Sequence, residues 1–180
     1  ELDPLAAARA ACANAASEAE AQINACTTLI DSRELGQSER AIALANRGSA
    51  RSEAGDVTQA LRDFEAALAA DDQNMHATMG RASILIESGQ IDAAQPLVER
   101  LVASGGDNAH FLAGRIAAQR GDVAAALAAY DAAIAANARF APALANRASL
   151  KQARQDYGGA LADYDAAIAI NPQLTPALAG

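Results

Sequence analysis

Ala141–Leu174 reads APALANRASLKQARQDYGGALADYDAAIAINPQL, and Ala41–Asn74 reads AIALANRGSARSEAGDVTQALRDFEAALAADDQN. Both stretches carry Ala-Asn-Arg before a small residue, then a bend, Ala-Leu, an Asp-aromatic pair and a closing Asp or Pro, in the same order. Self-similarity of this kind is the signature of a repeat architecture, in which each unit packs mainly on its neighbours. The sequence therefore predicts an array of similar units instead of one central core.

Small residues recur in pairs, and the members of each pair are twelve positions apart. The pairs are Gly48 and Ala60, Ala82 and Ala94, Gly114 and Ala126, and Ala148 and Ala160. A large residue follows each pair after four positions, in the order Phe64, Val98, Tyr130 and Tyr164. Because two helices joined by a short turn approach closely only where their side chains are small, we predict that each pair marks a helix crossing. Gly or Gln followed by Asp or Gln lies between the members of each pair and predicts the bend.

Equivalent alanines of these pairs are 34, 32 and 34 residues apart. The pattern resembles the tetratricopeptide repeat, a helix–turn–helix unit of 34 residues. In that family the eighth and twentieth positions are small and the twenty-fourth is aromatic. The resemblance covers four units, 41–74, 75–106, 107–140 and 141–174. It implies an all-α fold, a right-handed superhelical solenoid of antiparallel helix pairs.

Residues 1–36 are interpreted as a degenerate N-terminal helical hairpin with Cys26 at the aromatic position, and 37–180 as the four repeats. Asp3-Pro4 predicts a helix start, and Ser17 with Glu20 resembles a capping box for a second helix that follows a first one ending near Ala16. Ser38 is a candidate cap for the next helix. Thr175–Ala179 is interpreted as the start of a further, capping helix.

Cys12 and Cys26 are the only cysteines, and each falls on one helix of the N-terminal hairpin. A disulfide between them would indicate an oxidising compartment, and two buried free thiols are the alternative. The segment Gln22–Ile30 is similar to one that precedes the repeats in exported bacterial members of the family. We therefore expect a periplasmic or otherwise exported protein, and a cytoplasmic one if the cysteines are free.

The formal net charge is −8, which argues against nucleic acids and anionic membranes as partners. No apolar run approaches the length that a membrane-spanning helix needs, so we expect no direct membrane insertion. The two histidines lie in different repeats without neighbouring ligands, and no nucleophile elbow or phosphate loop is present. We expect no metal, no cofactor, no catalytic residue and no enzymatic activity.

Arg47 with Asp63, and Arg147 with Asp163, occupy the seventh and twenty-third places of the first and fourth repeats. We predict an ion pair in each of these repeats, at the exposed surface, where such pairs contribute about 0–1 kcal/mol. The third repeat has Ala113 and Ala129 at these places, and the second has Arg81 with Leu97.

The resemblance also implies a concave groove lined by the first helix of each repeat. The candidate groove residues are Asn46, Ser49, His76, Met79, Ser83, Phe111, Arg115, Asn146, Ser149 and Gln152. An asparagine at the sixth place, as at 46 and 146, can donate to and accept from an extended peptide backbone. Phe111 is either an exposed anchor for a partner or a side chain buried at the shortened junction between the second and third repeats.

Three functions remain open from the sequence. The first is a scaffold or adaptor that binds a peptide or a partner protein in the groove. The second is a structural protein that forms homo-oligomers or larger complexes through the C-terminal helix, whose face with Leu161, Tyr164 and Ile168 is incompletely covered. The third is a small-molecule binder or enzyme, which would require a deep polar pocket that no residue cluster predicts.

Overall fold

The computed structural model describes residues 4–32 and 34–173. This part of the chain contains ten α-helices and no strand. The helices are α1 (Pro4–Ala13), α2 (Ala19–Asp31), α3 (Gln37–Glu53), α4 (Val57–Ala70), α5 (Met75–Glu87), α6 (Ile91–Ser104), α7 (Asp107–Gln119), α8 (Val123–Ala136), α9 (Ala141–Ala153) and α10 (Tyr157–Ile170). They fall into two compact units, Glu1–Ser88 and Gly89–Gly180. No described helix is long and apolar enough to cross a membrane.

The predicted bends separate the two helices of each repeat. Glycine holds a left-handed backbone at three of them, with φ of +83° at Gly55, +75° at Gly89 and +77° at Gly121. Gln155 holds the fourth with φ of +65°. The next residue is an aspartate at three of the four bends, and its side chain accepts a hydrogen bond from the backbone N–H three residues later. Asn74 caps α5 in the same way.

Two of the predicted helix starts are wrong. The residue before α2 is Glu18, which makes no side-chain capping bond, so Ser17 is not the cap. The chain leaves α1 at Ala13 because Asn14 Oδ1 accepts from the Ala16 N–H in a local turn. Helix α3 begins at Gln37, ahead of Ser38, and the flanking residue is Gly36. The predicted capping helix at Thr175–Ala179 and the start at Asp3 lie outside the described residues.

In the first unit, α3 and α4 form an antiparallel pair. The side chain of Gln37, the first residue of α3, donates a hydrogen bond to the carbonyl of Ala70, the last residue of α4. The centre of the pair is Phe64, which is buried. A Cβ on Gly48 would lie 2.8 Å from the Phe64 ring, and one on Gly80 of α5 would collide with it. Glycine at these places therefore makes room for the aromatic ring from two sides.

In the second unit, α7 and α8 form the corresponding pair around Tyr130, and a Cβ on Gly114 would collide with its ring. All the small residues that pair at twelve-residue spacing are buried. The closest neighbours of Gly48 and Gly114 are the aromatic ring atoms instead of the paired alanines. Only Gly105 and Gly106 separate α6 from α7, where four residues separate α8 from α9. This shorter connection accounts for the two residues missing from the second repeat.

The N-terminal hairpin is closed by a disulfide between Cys12 of α1 and Cys26 of α2, and both residues are buried. The Gln22 side chain donates to the Cys12 carbonyl at 2.9 Å, which satisfies a buried polar group beside the disulfide. Of the two alternatives for these cysteines, the structure adopts the disulfide.

Both predicted ion pairs form, and each is bidentate. Arg47 donates to the two carboxylate oxygens of Asp63 at 2.9 and 2.8 Å, and Arg147 donates to those of Asp163 at 2.8 and 2.6 Å. A second cation reaches each aspartate. The second cations are Arg51 Nη1 at 2.8 Å and Lys151 Nζ at 2.8 Å. Since Asp63 and Asp163 are 3% and 6% exposed, the expectation of exposed pairs is wrong.

Candidate functional site

In the second unit, three of the predicted groove residues line one cavity of about 250 Å³, which we call the Asn146 cavity. They are Arg115 of α7 and Asn146 and Ser149 of α9, and Tyr130 of α8 also lines it. Arg115 and Asn146 thus project from the first helices of two successive repeats. The sequence resemblance places them in one groove, and within this unit they do lie around one opening.

Asn146 and Tyr130 provide hydrogen-bonding groups to this cavity. The Asn146 side-chain amide donates to the Tyr130 hydroxyl over 3.5 Å, at the long limit of a hydrogen bond. Burial raises the pKa of Tyr130, and the Asn146 hydrogen bond and the Arg115 charge oppose this shift without reversing it. The phenol therefore stays protonated at neutral pH and keeps a proton to donate. The Asn146 side-chain oxygen accepts no hydrogen bond from the described residues, so it can accept one from a ligand.

Phe111 is half-buried, between the two alternatives that the sequence left open. Its ring meets Phe140 edge-on with centroids 5.3 Å apart and lies 6.0 Å from the Tyr130 ring. The Arg115 guanidinium carbon lies 6.0 Å from the Phe111 centroid, at the outer range of a cation–π contact. Phe111 thus packs in an aromatic cluster and keeps part of its surface exposed.

In the first unit, Ser49 of α3 and His76 of α5 contact each other, with Oγ and Nε2 2.7 Å apart. Desolvation lowers the pKa of His76 from its ordinary value, although the side chain remains exposed overall. The ring is therefore neutral at pH 7, and one nitrogen can accept from the serine hydroxyl. Ser49 also lines a cavity of about 190 Å³ with Ser83 and Glu87.

The remaining predicted residues are more scattered. Asn46 lines a third cavity of about 200 Å³, in which Cys12, Leu29 and the 53% exposed Ile42 supply apolar surface. Met79 is half-buried. Gln152 is exposed and accepts a hydrogen bond from the Tyr164 hydroxyl at 3.2 Å. Gly80, which interrupts the series of asparagines at the sixth place, is required by the Phe64 ring beside it.

The sequence predicted Tyr130 as a packing residue and Tyr164 as part of an incompletely covered helix face, and it gave no role to their hydroxyl groups. The Tyr130 hydroxyl reaches the Asn146 side chain, and the Tyr164 hydroxyl reaches the Gln152 side chain, each on the first helix of a repeat. The signal was present in the choice of residue, since Phe64 fills the same place where no hydroxyl is used. No group of three or more His, Cys, Asp or Glu side chains able to hold a metal ion occurs among the described residues.

The family model of the tetratricopeptide repeat matches residues 51–115. A search of curated protein sequences finds no match. Among solved structures, MamA of Desulfovibrio magneticus RS-1, from its residue 41 to its end, superposes with a TM-score of 0.71 at 16% identity, over 96% of this chain and 98% of that one. The protein YrrB, described as a tetratricopeptide-repeat protein with an unusual peptide-binding site, gives a TM-score of 0.61 at 25% identity. That match covers 89% of this chain and 82% of YrrB.

The family match and the fold shared with these structures agree with the helix pairs, the bends and the close approach of glycine to an aromatic ring. Residues 51–115 thus match the tetratricopeptide repeat, and the chain shares its fold with the tetratricopeptide-repeat protein YrrB.

Proposed function

We propose that this chain is a protein-interaction scaffold that binds a peptide segment of a partner through the first helices of its repeats. The observation that carries the proposal is the Asn146 cavity, where Arg115, Asn146 and Ser149 surround one opening. YrrB, with its peptide-binding site, has the same fold and supports this class of function.

The cavity offers the groups that an extended peptide needs. Asn146 presents an acceptor oxygen and amide donors, the protonated Tyr130 hydroxyl can donate, and Ser149 can do both. Phe111 adds a half-buried aromatic surface beside them, and aromatic residues are common anchors at interfaces. A peptide would therefore pair its backbone amides with Asn146 and place an apolar side chain on Phe111.

The test is selection of peptides from a displayed library on the immobilised chain, followed by affinity measurements on the selected peptides. We expect Asn146→Ala to weaken binding about tenfold, because it removes a paired donor and acceptor. Asn108→Ala is the matched control, since Asn108 is an exposed residue of the same unit that does not line the cavity. Equal affinity of the wild type and the Asn146→Ala variant for every selected peptide would refute this site.

We propose that the chain performs no chemistry of its own and works in an exported, oxidising compartment such as the bacterial periplasm. The Cys12–Cys26 disulfide supports this location, because disulfides persist in oxidising environments. A thiol count on the denatured, non-reduced protein taken from its native cell tests it. We expect no free thiol, and two free thiols would exclude the proposal.

A second candidate function is self-association through α10. Tyr157 and Leu161 on this helix are 66% and 62% exposed, and Ile168 is 36% exposed. Large apolar side chains grouped on one helix favour contact with another protein surface. Light scattering at increasing concentration tests this function with the Leu161→Glu variant, and Ile42→Glu on α3 is the control of similar exposure. A wild-type chain that stays monomeric throughout would remove this candidate.

A further inference from the structure

The arginine at the seventh place of a repeat contacts the residue at the twenty-fifth place of the preceding one. Arg147 Nη1 lies 2.6 Å from Asp131 Oδ1, and Arg81 Nη2 lies 3.4 Å from Glu65 Oε1. In the first repeat, Arg47 Nη1 donates to Thr27 Oγ1 at 3.1 Å, and Thr27 takes the twenty-fifth place of the N-terminal hairpin. The same contact therefore joins successive repeats at three places.

The third repeat breaks this pattern. Its seventh residue is Ala113, while the twenty-fifth residue of the preceding repeat is still an acid, Glu99. The Glu99 carboxylate accepts a hydrogen bond from Gln95 at 2.7 Å, and no ion pair to it occurs in the described part of the chain. At this junction the chain thus has the acidic residue of the contact but no arginine at the seventh place to pair with it.

An open cavity of about 430 Å³ lies beside Ala113 and Glu99, and we call it the Ala113 notch. Ala113 and Glu99 both line it, with Val98, Val102 and Ile116 as apolar walls. Its volume is within the range of about 300–1,000 Å³ that is common for small ligand sites. The residues of α7 that line the notch, such as Ala113 and Ile116, differ from those around the Asn146 cavity.

The charge around the notch favours a cation. Glu99 and Asp122 supply carboxylates, and the one guanidinium at the rim, Arg120, is held by Asp92 at 2.9 Å and by Gln95 at 3.0 Å. Two carboxylates and one guanidinium thus line the notch, and the guanidinium is already paired with Asp92.

We propose that the Ala113 notch binds the side chain of an arginine from a partner polypeptide. The aliphatic part of that side chain would lie along Val98, Val102 and Ile116, and its guanidinium would pair with Glu99. Arginine fits better than lysine because its planar group can donate two parallel hydrogen bonds to a carboxylate. The contact would reproduce, between two chains, the one that Arg147 makes with Asp131 within this chain. The proposal does not depend on the peptide site at Asn146.

The test is a titration of the isotope-labelled full chain with N-acetyl-arginine methylamide, followed by nuclear magnetic resonance. The neutral citrulline analogue, of nearly the same shape, is the ligand control, and the lysine analogue tests the geometry. We expect saturable shifts at the amides of Val98, Val102, Ala113 and Ala117, with the citrulline analogue about tenfold weaker because a charge-assisted pair is lost.

Three variants sharpen this test. Glu99→Gln should weaken the arginine analogue about tenfold, and Glu65→Gln, at the same place of a repeat where Arg81 already makes the contact, should change nothing. Ala113→Arg should abolish binding by filling the notch from within. Equal shifts with the arginine and citrulline analogues, no loss with Glu99→Gln, or shifts confined to the Asn146 cavity would each overturn the proposal. Since Glu99→Gln leaves the helix packing unchanged, the proposal stays testable even if Ala113→Arg fails to fold.

Discussion

At the residue scale, a glycine on the first helix lies against an aromatic ring on the second helix in the first and third repeats. The Phe64 ring fills the space beside Gly48, and the Tyr130 ring fills the space beside Gly114. The sequence predicted buried small residues at these places correctly. It could not show that the ring is the nearer neighbour, because spacing along the chain does not give the direction of a side chain.

Gly114→Ala is predicted to destabilise the protein by about 1–3 kcal/mol, the usual cost of forcing an extra group into a packed core. The added Cβ would collide with the Tyr130 ring, which is itself buried and cannot move away freely. Gly158→Ala is the matched control, because a Cβ there meets no atom within 4 Å and alanine favours a helix. Urea unfolding of the three proteins measures the difference, and equal midpoints would contradict the prediction.

Asp163→Asn is predicted to cost about 3 kcal/mol at pH 7, because it leaves Arg147 and Lys151 without their buried carboxylate. Burial alone would raise the pKa of Asp163, but the hydrogen bonds and charges of these two cations outweigh it, and the net shift is downward. The carboxylate therefore stabilises the fold above its unfolded pKa of roughly 3.9, and this contribution is lost as the pH falls through the lower folded value.

Unfolding free energies measured between pH 7 and pH 2 test this prediction. The wild type should lose stability below about pH 4, and the Asp163→Asn variant should lose less over the same range. Asp165→Asn is the control, because Asp165 is exposed on the same helix. A variant curve parallel to the wild-type curve would show that Asp163 does not carry the effect.

At the scale of elements, the bends between helices repeat one backbone conformation with one change of residue. Gly55, Gly89 and Gly121 hold positive φ, which glycine adopts without steric cost, whereas Gln155 holds φ of +65° with a side chain. The left-handed conformation costs a residue with a side chain about 1–2 kcal/mol. The fourth repeat therefore folds with a strained turn that the other three avoid.

Gln155→Gly is predicted to stabilise the protein by up to about 1 kcal/mol, since the relief of strain exceeds the extra freedom of glycine in the unfolded chain. The reverse change, Gly121→Gln, should destabilise it by a similar amount. Thermal unfolding of both variants checks the two signs together. A Gln155→Gly variant less stable than the wild type would show that the glutamine side chain makes a contact that outweighs the strain.

The helix pairs, the bends and two ion pairs were predictable because they depend on local spacing that four repeats display in parallel. The starts of α2 and α3 were not, because Ser17 and Ser38 look like caps while Asn14 and Gly36 decide where the chain turns. The candidate groove residues were named one by one from the family pattern, and their role in binding stays a prediction. Their grouping was not predictable: Arg115, Asn146 and Ser149 share a cavity, whereas Ser49 and His76 bond to each other.

At the scale of the whole molecule, the formal net charge of −8 sets how partners approach. The acidic residues are spread along the chain and are not collected in one tail. A surface of this kind attracts cationic partners over a distance set by the ionic strength and repels polyanions.

Association with a cationic peptide is predicted to slow severalfold between about 0.05 and 0.5 M salt, because screening removes the long-range attraction. The dissociation rate should change much less, since it depends on short-range contacts. Stopped-flow fluorescence with a labelled arginine-containing peptide measures both rates, and a neutral peptide of equal length is the control. The same salt dependence for both peptides would contradict a role for the net charge.

The missing arginine at the Ala113 notch also has a mechanical consequence. Arg147 links α9 to α8 through Asp131, whereas Ala113 gives α7 no such link to α6. If the chain is stretched between optical tweezers, we expect α6 and α7 to separate at a lower force than α8 and α9. An arginine bound in the Ala113 notch would supply the missing link reversibly, and its binding would raise the force at which α6 and α7 separate.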